Sequence, residues 1–336
     1  MTRFRRQFLK TAAATAALAT LPSHADDVVR ESGRVGRHAI TELFRDLPGD
    51  LGVKILAPPQ KGRRGFTVEI NAGRQLFAAS AIKTFALCEA LRQKDSPDIV
   101  EALEATELEL DESVWSLGSP IFNPPNVTGI VSERTALEAM ILRSDNTATD
   151  MIFNLVGASN IRELIASVGL EQTRVPDNTR IFAGYLFGAP NYKTVTWDEI
   201  LLLASQGQVA HPLLNDVQTL ASSPDDFVRF YAQALHGRFF RHHETLQEFR
   251  RILSLCDFIY LIPLPLGLSA FMKSGNADSP GFHARTIAGG LYVDRRWVFF
   301  AFMLNWYSEA GSDPSTVDAL FAAINESLRR VADVAG

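Results

Sequence analysis

Three short stretches of this 336-residue chain combine a hydroxyl group with a lysine or a side-chain amide. In chain order they are Ser80-Ala81-Ile82-Lys83, Ser144-Asp145-Asn146 and Lys273-Ser274-Gly275. A serine hydroxyl is a weak nucleophile at neutral pH and needs a base within hydrogen-bond distance. Any one of these short patterns often occurs without function. Together they predict a site at which one serine is activated for nucleophilic attack.

The first stretch pairs a nucleophile with a base. The apolar run 78–87 predicts a largely buried helix with Ser80 near its start, and helical residues three apart share a face. Because desolvation disfavours a charged lysine, Lys83 is expected to act as a base near neutral pH. The Ser80 N–H in the first turn has no partner within the helix and could stabilise negative charge. The alternative is a surface helix capped by Ser80, with Lys83 in water.

The second and third stretches are predicted to follow elements that could present their side chains. Ser144-Asp145-Asn146 interrupts an apolar helical run, and its three residue types all favour helix N-caps. It is therefore predicted to be a loop between two helices. Lys273-Ser274-Gly275 follows the predicted strand 268–272, and Gly275 suits a close approach of ligand to backbone. The alternative for the third stretch is an exposed turn where the strand ends.

The order and wide separation of the three stretches match the S-x-x-K, S-D-N and K-T/S-G elements of the penicillin-recognising serine enzymes. From about residue 36 to its C-terminus, the chain resembles a class A β-lactamase-like serine hydrolase. The resemblance implies that Ser80 attacks the carbonyl carbon and that Ser144 relays a proton to the leaving nitrogen. It places the second oxyanion donor on the backbone N–H of Asn276.

The same resemblance implies how a β-lactam or a peptidoglycan-like substrate is held. Asn146 would contact the substrate's side-chain amide and Lys83, while Lys273 and Ser274 would bind its carboxylate. Gly275 lets the substrate approach the strand. Arg285, on the next predicted strand, either assists carboxylate binding or is an exposed strand arginine. No metal and no cofactor is implied.

The predicted fold class is α/β, of the α+β type. Predicted strands at 51–57, 66–70, 268–272, 285–292 and 297–304 come from both chain ends, and they must join one antiparallel sheet to bury their apolar faces. The result is a five-stranded antiparallel sheet with flanking helices and an inserted all-helical half at about residues 84–265, as in β-lactamases and transpeptidases. The active cleft is expected between the two halves.

One element of the resemblance is absent. Class A β-lactamases activate the deacylating water with a glutamate in a loop after S-D-N, and the register here places Thr179 at that position. Glu199, Glu171 and Asp177 are candidate replacements. Glu199 has the alternative reading of an exposed first-turn residue in a helix capped by Thr196.

The missing glutamate leaves three functions open. The first is a β-lactamase that opens β-lactam rings through an acyl-enzyme on Ser80. The second is a DD-peptidase or esterase of the same fold. The third is a slow-turnover penicillin-binding protein, or a binding module that has lost turnover.

The first residues predict an export signal. Arg5-Arg6 followed by Phe8-Leu9-Lys10 fits the twin-arginine pattern, and 23–25 is a cleavage site of the A-x-A kind. The apolar run 11–21 is shorter than the ~20 residues that a membrane-spanning helix needs. Residues 1–25 are therefore predicted to be a removable signal, with 26–336 as the periplasmic or secreted catalytic domain. The alternative is an uncleaved N-terminal anchor, and stable membrane insertion is not expected.

Composition narrows the function further. A hydrophobic content of 46% supports a large core, and the net charge of −5 offers no electrostatic footprint for nucleic acid. The adjacent His242 and His243 have no third ligand at a suitable spacing, so no metal site is predicted. Cys88 and Cys256 are expected to be buried thiols, with a single bridge left open. A monomer is expected.

Overall fold

The structure is a computed structural model that describes residues 37–60, 62–257, 269–279 and 281–335. The predicted signal at 1–25 lies outside the described residues. So do the proline-containing segment 258–268 and the C-terminal end of the predicted helical half at about residue 265.

The elements follow one another in a regular order, with helices occupying most of the middle of the chain. In sequence they are α1 (37–42), β1 (Asp50–Ala57), β2 (Phe66–Ile70), β3 (Leu76–Phe77), a 3₁₀ turn (Ala79–Ile82), α2 (Lys83–Gln93), α3 (Ile99–Ala105), β4 (Glu107–Leu110), β5 (Gly129–Ser132), α4 (Glu133–Leu142), α5 (Asn146–Val156), α6 (Ala158–Val168), α7 (Thr179–Leu186), a second 3₁₀ turn (Tyr192–Thr194), α8 (Trp197–Ser205), β6 (Ala221–Ser222), α9 (Pro224–Ala234), α10 (His243–Leu253), β7 (Ser269–Ser279), β8 (Phe282–Val293), β9 (Arg296–Trp306) and α11 (Pro314–Ala335).

Strands from both chain ends form one five-stranded antiparallel sheet in the order β2-β1-β9-β8-β7. The register sets Val53 opposite Phe302, and Phe302 opposite Ile287. The predicted fold class and the predicted sheet are therefore confirmed. Because β7 is an edge strand, its free side is open to contact with other elements.

The central strand β9 is covered on both faces. Phe302 stacks on Phe44 with ring centroids 5.8 Å apart, while its neighbour Phe299 lies 5.6 Å from the His236 ring beyond α9. Successive side chains of a strand point to opposite faces. Burial on both sides explains why 298–304 is a continuous apolar run rather than an alternating one.

Helix α9 connects the sheet to the helix that follows the nucleophile turn. Its Phe227 stacks on Phe85 of α2 at 5.7 Å, and Phe230 meets the same ring edge-on at 4.7 Å. Ser223 caps α9 by accepting from the Asp226 N–H, with Pro224 as the first residue of the helix. This packing holds α2, and the turn before it, against the sheet.

Two local predictions need correction. Residues 78–87 do not form one α-helix, because a 3₁₀ turn contains Ser80 and α2 begins only at Lys83. The strand 268–272 is longer than predicted, so that Lys273, Ser274 and Gly275 lie inside β7 and not at its end. Within the described residues, no helix has the length and apolar character required to cross a membrane.

Candidate active site

The turn that carries Ser80 exposes one side chain only. Ala79, Ala81 and Ile82 are buried, whereas Ser80 is half-buried. Ala79 has a φ of 49°, in the left-handed region that residues other than glycine rarely adopt. In a 3₁₀ turn residues three apart eclipse one another, so the turn places Ser80 and Lys83 on the same side.

The edge strand β7 lies directly against this turn. A Cβ atom added at Gly275 would be 2.3 Å from the Ala78 carbonyl oxygen and 2.8 Å from the Ser80 nitrogen. Only glycine permits this contact, because no real Cβ atom approaches backbone atoms so closely. The structure thus brings the first and third sequence stretches together, although 191 positions separate Ser274 from Lys83 (274 − 83).

The loop between α4 and α5 carries the second stretch. Ser144 has a φ of 58°, the second left-handed residue of the site. The buried Asp145 caps α5 by accepting from the Ala148 N–H, and its other oxygen accepts from the N–H groups of Ile121 and Phe122, each bond being 2.9 Å. Left-handed residues such as Ser144 are strained; they persist where surrounding contacts fix them, and they concentrate in active sites.

Lys83 is fully buried and lies at the centre of the site. Its Nζ is 2.6 Å from both the Ser144 carbonyl oxygen and Asn146 Oδ1, and 3.2 Å from Ser144 Oγ. Among the described residues no hydrogen bond joins Lys83 to the Ser80 hydroxyl. Burial, with the nearby charge of Lys273, holds the pKa of Lys83 well below its ordinary value. The neutral amine is thereby favoured, which is the form that can accept a proton.

Ser144 lies between two lysines. Lys273, which is also buried, has its Nζ 3.1 Å from Ser144 Oγ and 3.0 Å from the Ser274 carbonyl oxygen. Burial lowers the pKa of Lys273 as well. The three groups form a continuous hydrogen-bonded chain from Lys83 through Ser144 to Lys273, along which a proton can pass.

Ser274, Asn276 and Arg285, which were predicted to lie near the substrate, differ in burial and in their contacts. The buried Ser274 has its Oγ 3.8 Å from the Cys256 sulfur, and both Cys256 and Cys88 are free thiols. Asn276 is exposed and pairs with Arg285 on β8. The Arg285 side chain is only 12% exposed because it forms a 2.7 Å ion pair with Asp278, so it is not an exposed strand arginine.

The three acidic residues named as replacements for the missing glutamate are engaged elsewhere or exposed. Glu199 closes a capping box with Thr196, accepting from its N–H at 2.8 Å, and these bonds lower its pKa. Glu171 is exposed. Partial burial acts to raise the pKa of Asp177, but hydrogen bonds from Arg162 and Gln218 hold it below its ordinary value.

A different carboxylate contacts Thr179, and sequence reasoning missed it. Asp150 is 2% exposed and accepts hydrogen bonds from Thr179 Oγ1 at 2.6 Å and the Thr179 N–H at 2.7 Å. The sequence places Asp150 four residues after Asn146, on the same helix face, but nothing local relates it to Thr179. Burial raises the pKa of Asp150 to about 6.

Comparison with known proteins gives this geometry its context. The profile of a family described as the beta-lactamase enzyme family matches residues 37–322. The chain belongs to the β-lactamase enzyme family. It is a β-lactamase-like serine hydrolase, as the three sequence stretches predict. A search of curated proteins found no significant match.

Solved structures of β-lactamases share the fold of this family member. A β-lactamase from Chitinophaga pinensis is 17% identical, with a TM-score of 0.68 over 90% of this chain and 100% of the other. A class A representative from Bacteroides cellulosilyticus is 19% identical, with a TM-score of 0.66 over 90% and 98%. A β-lactamase from Sphaerobacter thermophilus is 18% identical, with a TM-score of 0.64 over 90% and 97%. At these identities the likeness establishes the fold.

The predicted twin-arginine export is confirmed by a second match, while the predicted cleavage after residue 25 stays a prediction. A twin-arginine translocation signal matches residues 5–22, so this β-lactamase-family hydrolase is exported to the periplasm or beyond. The described part of the chain has no group of three or more His, Cys, Asp or Glu side chains arranged to hold a metal ion.

Proposed function

We propose that this protein opens β-lactam rings through an acyl-enzyme on Ser80. The observation that carries the proposal is the hydrogen-bonded chain Lys83–Ser144–Lys273, which lies beside the only accessible hydroxyl of the Ser80 turn. Because burial holds the pKa of Lys83 well below its ordinary value, its amine can take up a proton and pass it on through Ser144. The proposed substrate is a small molecule, a β-lactam, acted on by a monomer.

In the proposed acylation, Ser80 Oγ bonds to the lactam carbonyl carbon as Lys83 takes its proton. Lys83 is hydrogen-bonded to Ser144 and Asn146 in the free protein. The catalytic hydrogen bond from Ser80 to Lys83 is expected to form on substrate binding, because such bonds are often long or poorly aligned in the free enzyme and tighten afterwards. When the lactam C–N bond breaks, the ring nitrogen takes a proton from Ser144 Oγ, and Ser144 recovers one from Lys83.

The proposed oxyanion site is formed by the N–H groups of Ser80 and Asn276. Support comes from the close approach of Gly275 to the Ser80 nitrogen, which puts the two N–H groups on adjoining segments. Preorganised donors of this kind are worth about 10²–10³ in rate each. Lys273 and Ser274 lie on the same strand and would bind the substrate carboxylate through charge and a hydroxyl donor.

The hydrolysis of a chromogenic cephalosporin tests this proposal. We expect the wild-type protein to turn it over and Ser80→Ala to lose that activity, because the acyl-enzyme can no longer form. Ser205→Ala, which removes an exposed hydroxyl from the last turn of α8, is the matched control and should retain full activity. Turnover that survives in Ser80→Ala would refute the assignment. A long-lived penicillin adduct without turnover would instead favour a DD-peptidase or a penicillin-binding protein.

A further inference from the structure

We propose that Asp150 receives the proton of the deacylating water through the hydroxyl of Thr179, in place of the missing glutamate. This inference rests on the proposed function, because it concerns the second half of the same reaction. Asp150 acts through Thr179 and does not itself touch the ester, so it is a positioning residue for the water-activating hydroxyl.

The donors and acceptors around the Thr179 hydroxyl can be assigned from its neighbours. Its single hydroxyl proton is donated to Asp150 Oδ1 at 2.6 Å, and its backbone N–H donates to the same oxygen at 2.7 Å. Ser116 Oγ lies 2.9 Å from Thr179 Oγ1 and must then be the donor of that pair. A hydroxyl oxygen accepts two hydrogen bonds, and among the described residues Ser116 supplies one of them to Thr179 Oγ1. In the proposed step, the second comes from a proton of the deacylating water.

The burial of the Asp150 carboxylate makes it a candidate for proton transfer. It is 2% exposed, and the described residues include no ion pair to it. A buried carboxylate without a paired cation is costly, and such groups are candidates for proton transfer. Among the described residues, its second oxygen accepts one hydrogen bond, from the Arg180 N–H at 2.9 Å. Both oxygens therefore help to anchor the start of α7, and the proposed proton transfer is a second role of the same carboxylate.

The charges that face Asp150 come from the elements packed around α5. The Arg180 guanidinium acts on it from α7, and the Lys83 amine interacts with both Asp150 and Asp145 across the site. Burial outweighs the Arg180 charge and the hydrogen bonds from Thr179 and Arg180, and it raises the pKa of Asp150 to about 6. Above that pH the carboxylate is ionised and able to accept a proton.

Asn146 links this pair to Lys83. Its backbone carbonyl oxygen is 3.4 Å from Thr179 Oγ1, while its side-chain oxygen accepts from Lys83 at 2.6 Å. Asn146 therefore contacts both Thr179 and Lys83, and connects the Thr179–Asp150 pair to the site from α5.

In the proposed step, the water oxygen bonds to the ester carbonyl carbon, one water proton passes to Thr179 Oγ1, and the original Thr179 proton moves to Asp150. As the C–O bond to Ser80 breaks, the proton held by Asp150 returns through Thr179 and reaches Ser80 Oγ. Asp150, Thr179 and Ser80 are thereby restored, and the product leaves as a carboxylic acid that ionises in water.

The test is single-turnover acylation and deacylation with a penicillin, followed by intact-protein mass spectrometry between pH 5 and 8. The variants are Asp150→Asn, Thr179→Val and Thr179→Ser, with Asp198→Asn, an exposed carboxylate in the first turn of α8, as the control. In the wild-type protein and in Asp198→Asn, deacylation should rise with pH through about 6 and then level. Asp150→Asn and Thr179→Val should acylate within about threefold of wild type but deacylate about 10²–10⁴-fold more slowly, without that pH dependence.

Thr179→Ser keeps the hydroxyl and should deacylate much faster than Thr179→Val. This result would show that proton transfer, and not a loss of local structure, causes the slow deacylation of Thr179→Val. Deacylation by Asp150→Asn at the wild-type rate, with its pH dependence intact, would overturn the inference. A wild-type adduct that never clears would overturn it too, while leaving acylation by Ser80 in place. If the wild-type protein forms no adduct, the proposed function itself fails, and this inference fails with it.

Discussion

At the scale of single residues, the proposed mechanism depends on making Lys83 a base. Lys83 is fully buried, and among the described residues its amine is hydrogen-bonded to oxygen atoms of Ser144 and Asn146. Desolvation then disfavours the ammonium form. An arginine in the same position would stay protonated, because its guanidinium has a pKa above 12. The proposed base must therefore have a pKa low enough to lose its proton, as well as a side chain long enough to contact Ser80.

Lys83→Arg tests that argument. We expect acylation by a penicillin to slow by about 10²–10⁴-fold, since a general base contributes about that much. In the wild-type protein the acylation rate should rise with pH as the amine loses its proton. That rise should disappear in the variant. Stopped-flow acylation measured across pH checks both results, and an unchanged rate in Lys83→Arg would show that another group takes the Ser80 proton.

The residues to which we assign acyl transfer could be proposed from the sequence because their types occur in short, ordered patterns. Ser80, Lys83 and Ser144 are examples of this. Asp150 could not be found in that way, since its relevance depends on the contact with Thr179, 29 positions further along the chain (179 − 150). A contact between two helices has no local signature in one sequence.

At the scale of elements, the site depends on the contact between an edge strand and a turn. β7 contacts the Ser80 turn through Gly275, where a side chain has no room. The sheet was predictable because runs such as 51–57 and 297–304 are apolar and bounded by turns. The 3₁₀ turn at Ala79–Ile82 was not, because its left-handed Ala79 is imposed by packing.

Gly275→Ala should push β7 and the Ser80 turn apart. The added Cβ would meet backbone atoms 2.3–2.8 Å away, so the strand or the turn must shift. We expect a loss of about 1–3 kcal/mol in the free energy of unfolding and a fall of at least about 10²-fold in acylation, because misplacement by about 1 Å costs that much. Gly311→Ala, where no atom lies within 4 Å of the added Cβ, is the matched control. Equal acylation by the two variants would contradict the proposed contact.

At the scale of the whole molecule, charged residues link helices well away from the site. Glu248 of α10 is 3% exposed and accepts hydrogen bonds from Arg134 of α4 at 2.9 Å and from Arg251 at 2.7 Å. Burial acts to raise the pKa of Glu248, but the two arginines hold it below its ordinary value. Because the folded-state pKa is lowered, the stabilisation is complete above the ordinary glutamate range and is lost as the pH falls through the lowered pKa.

Glu248→Gln should destabilise the fold without changing the chemistry. We expect the free energy of unfolding in urea at pH 7 to fall by about 1–3 kcal/mol, since hydrogen bonds to charged groups are lost. The difference from wild type should shrink below about pH 4. Glu104→Gln, which removes a half-exposed partner of Arg134, should cost less. A constant difference between pH 3 and pH 7 would contradict the assigned ionisation.

The most direct test of the central claim is to locate the acyl group in the chain. Trypsin releases residues 75–83 as one peptide, because Arg74 precedes it and Lys83 ends it, and Ser80 is its only hydroxyl residue. After brief exposure to a penicillin and acid quenching, that peptide should carry the added mass of the antibiotic. Acylation found on any other peptide, or a penicillin that is hydrolysed while residues 75–83 remain unmodified at every time point, would contradict the account.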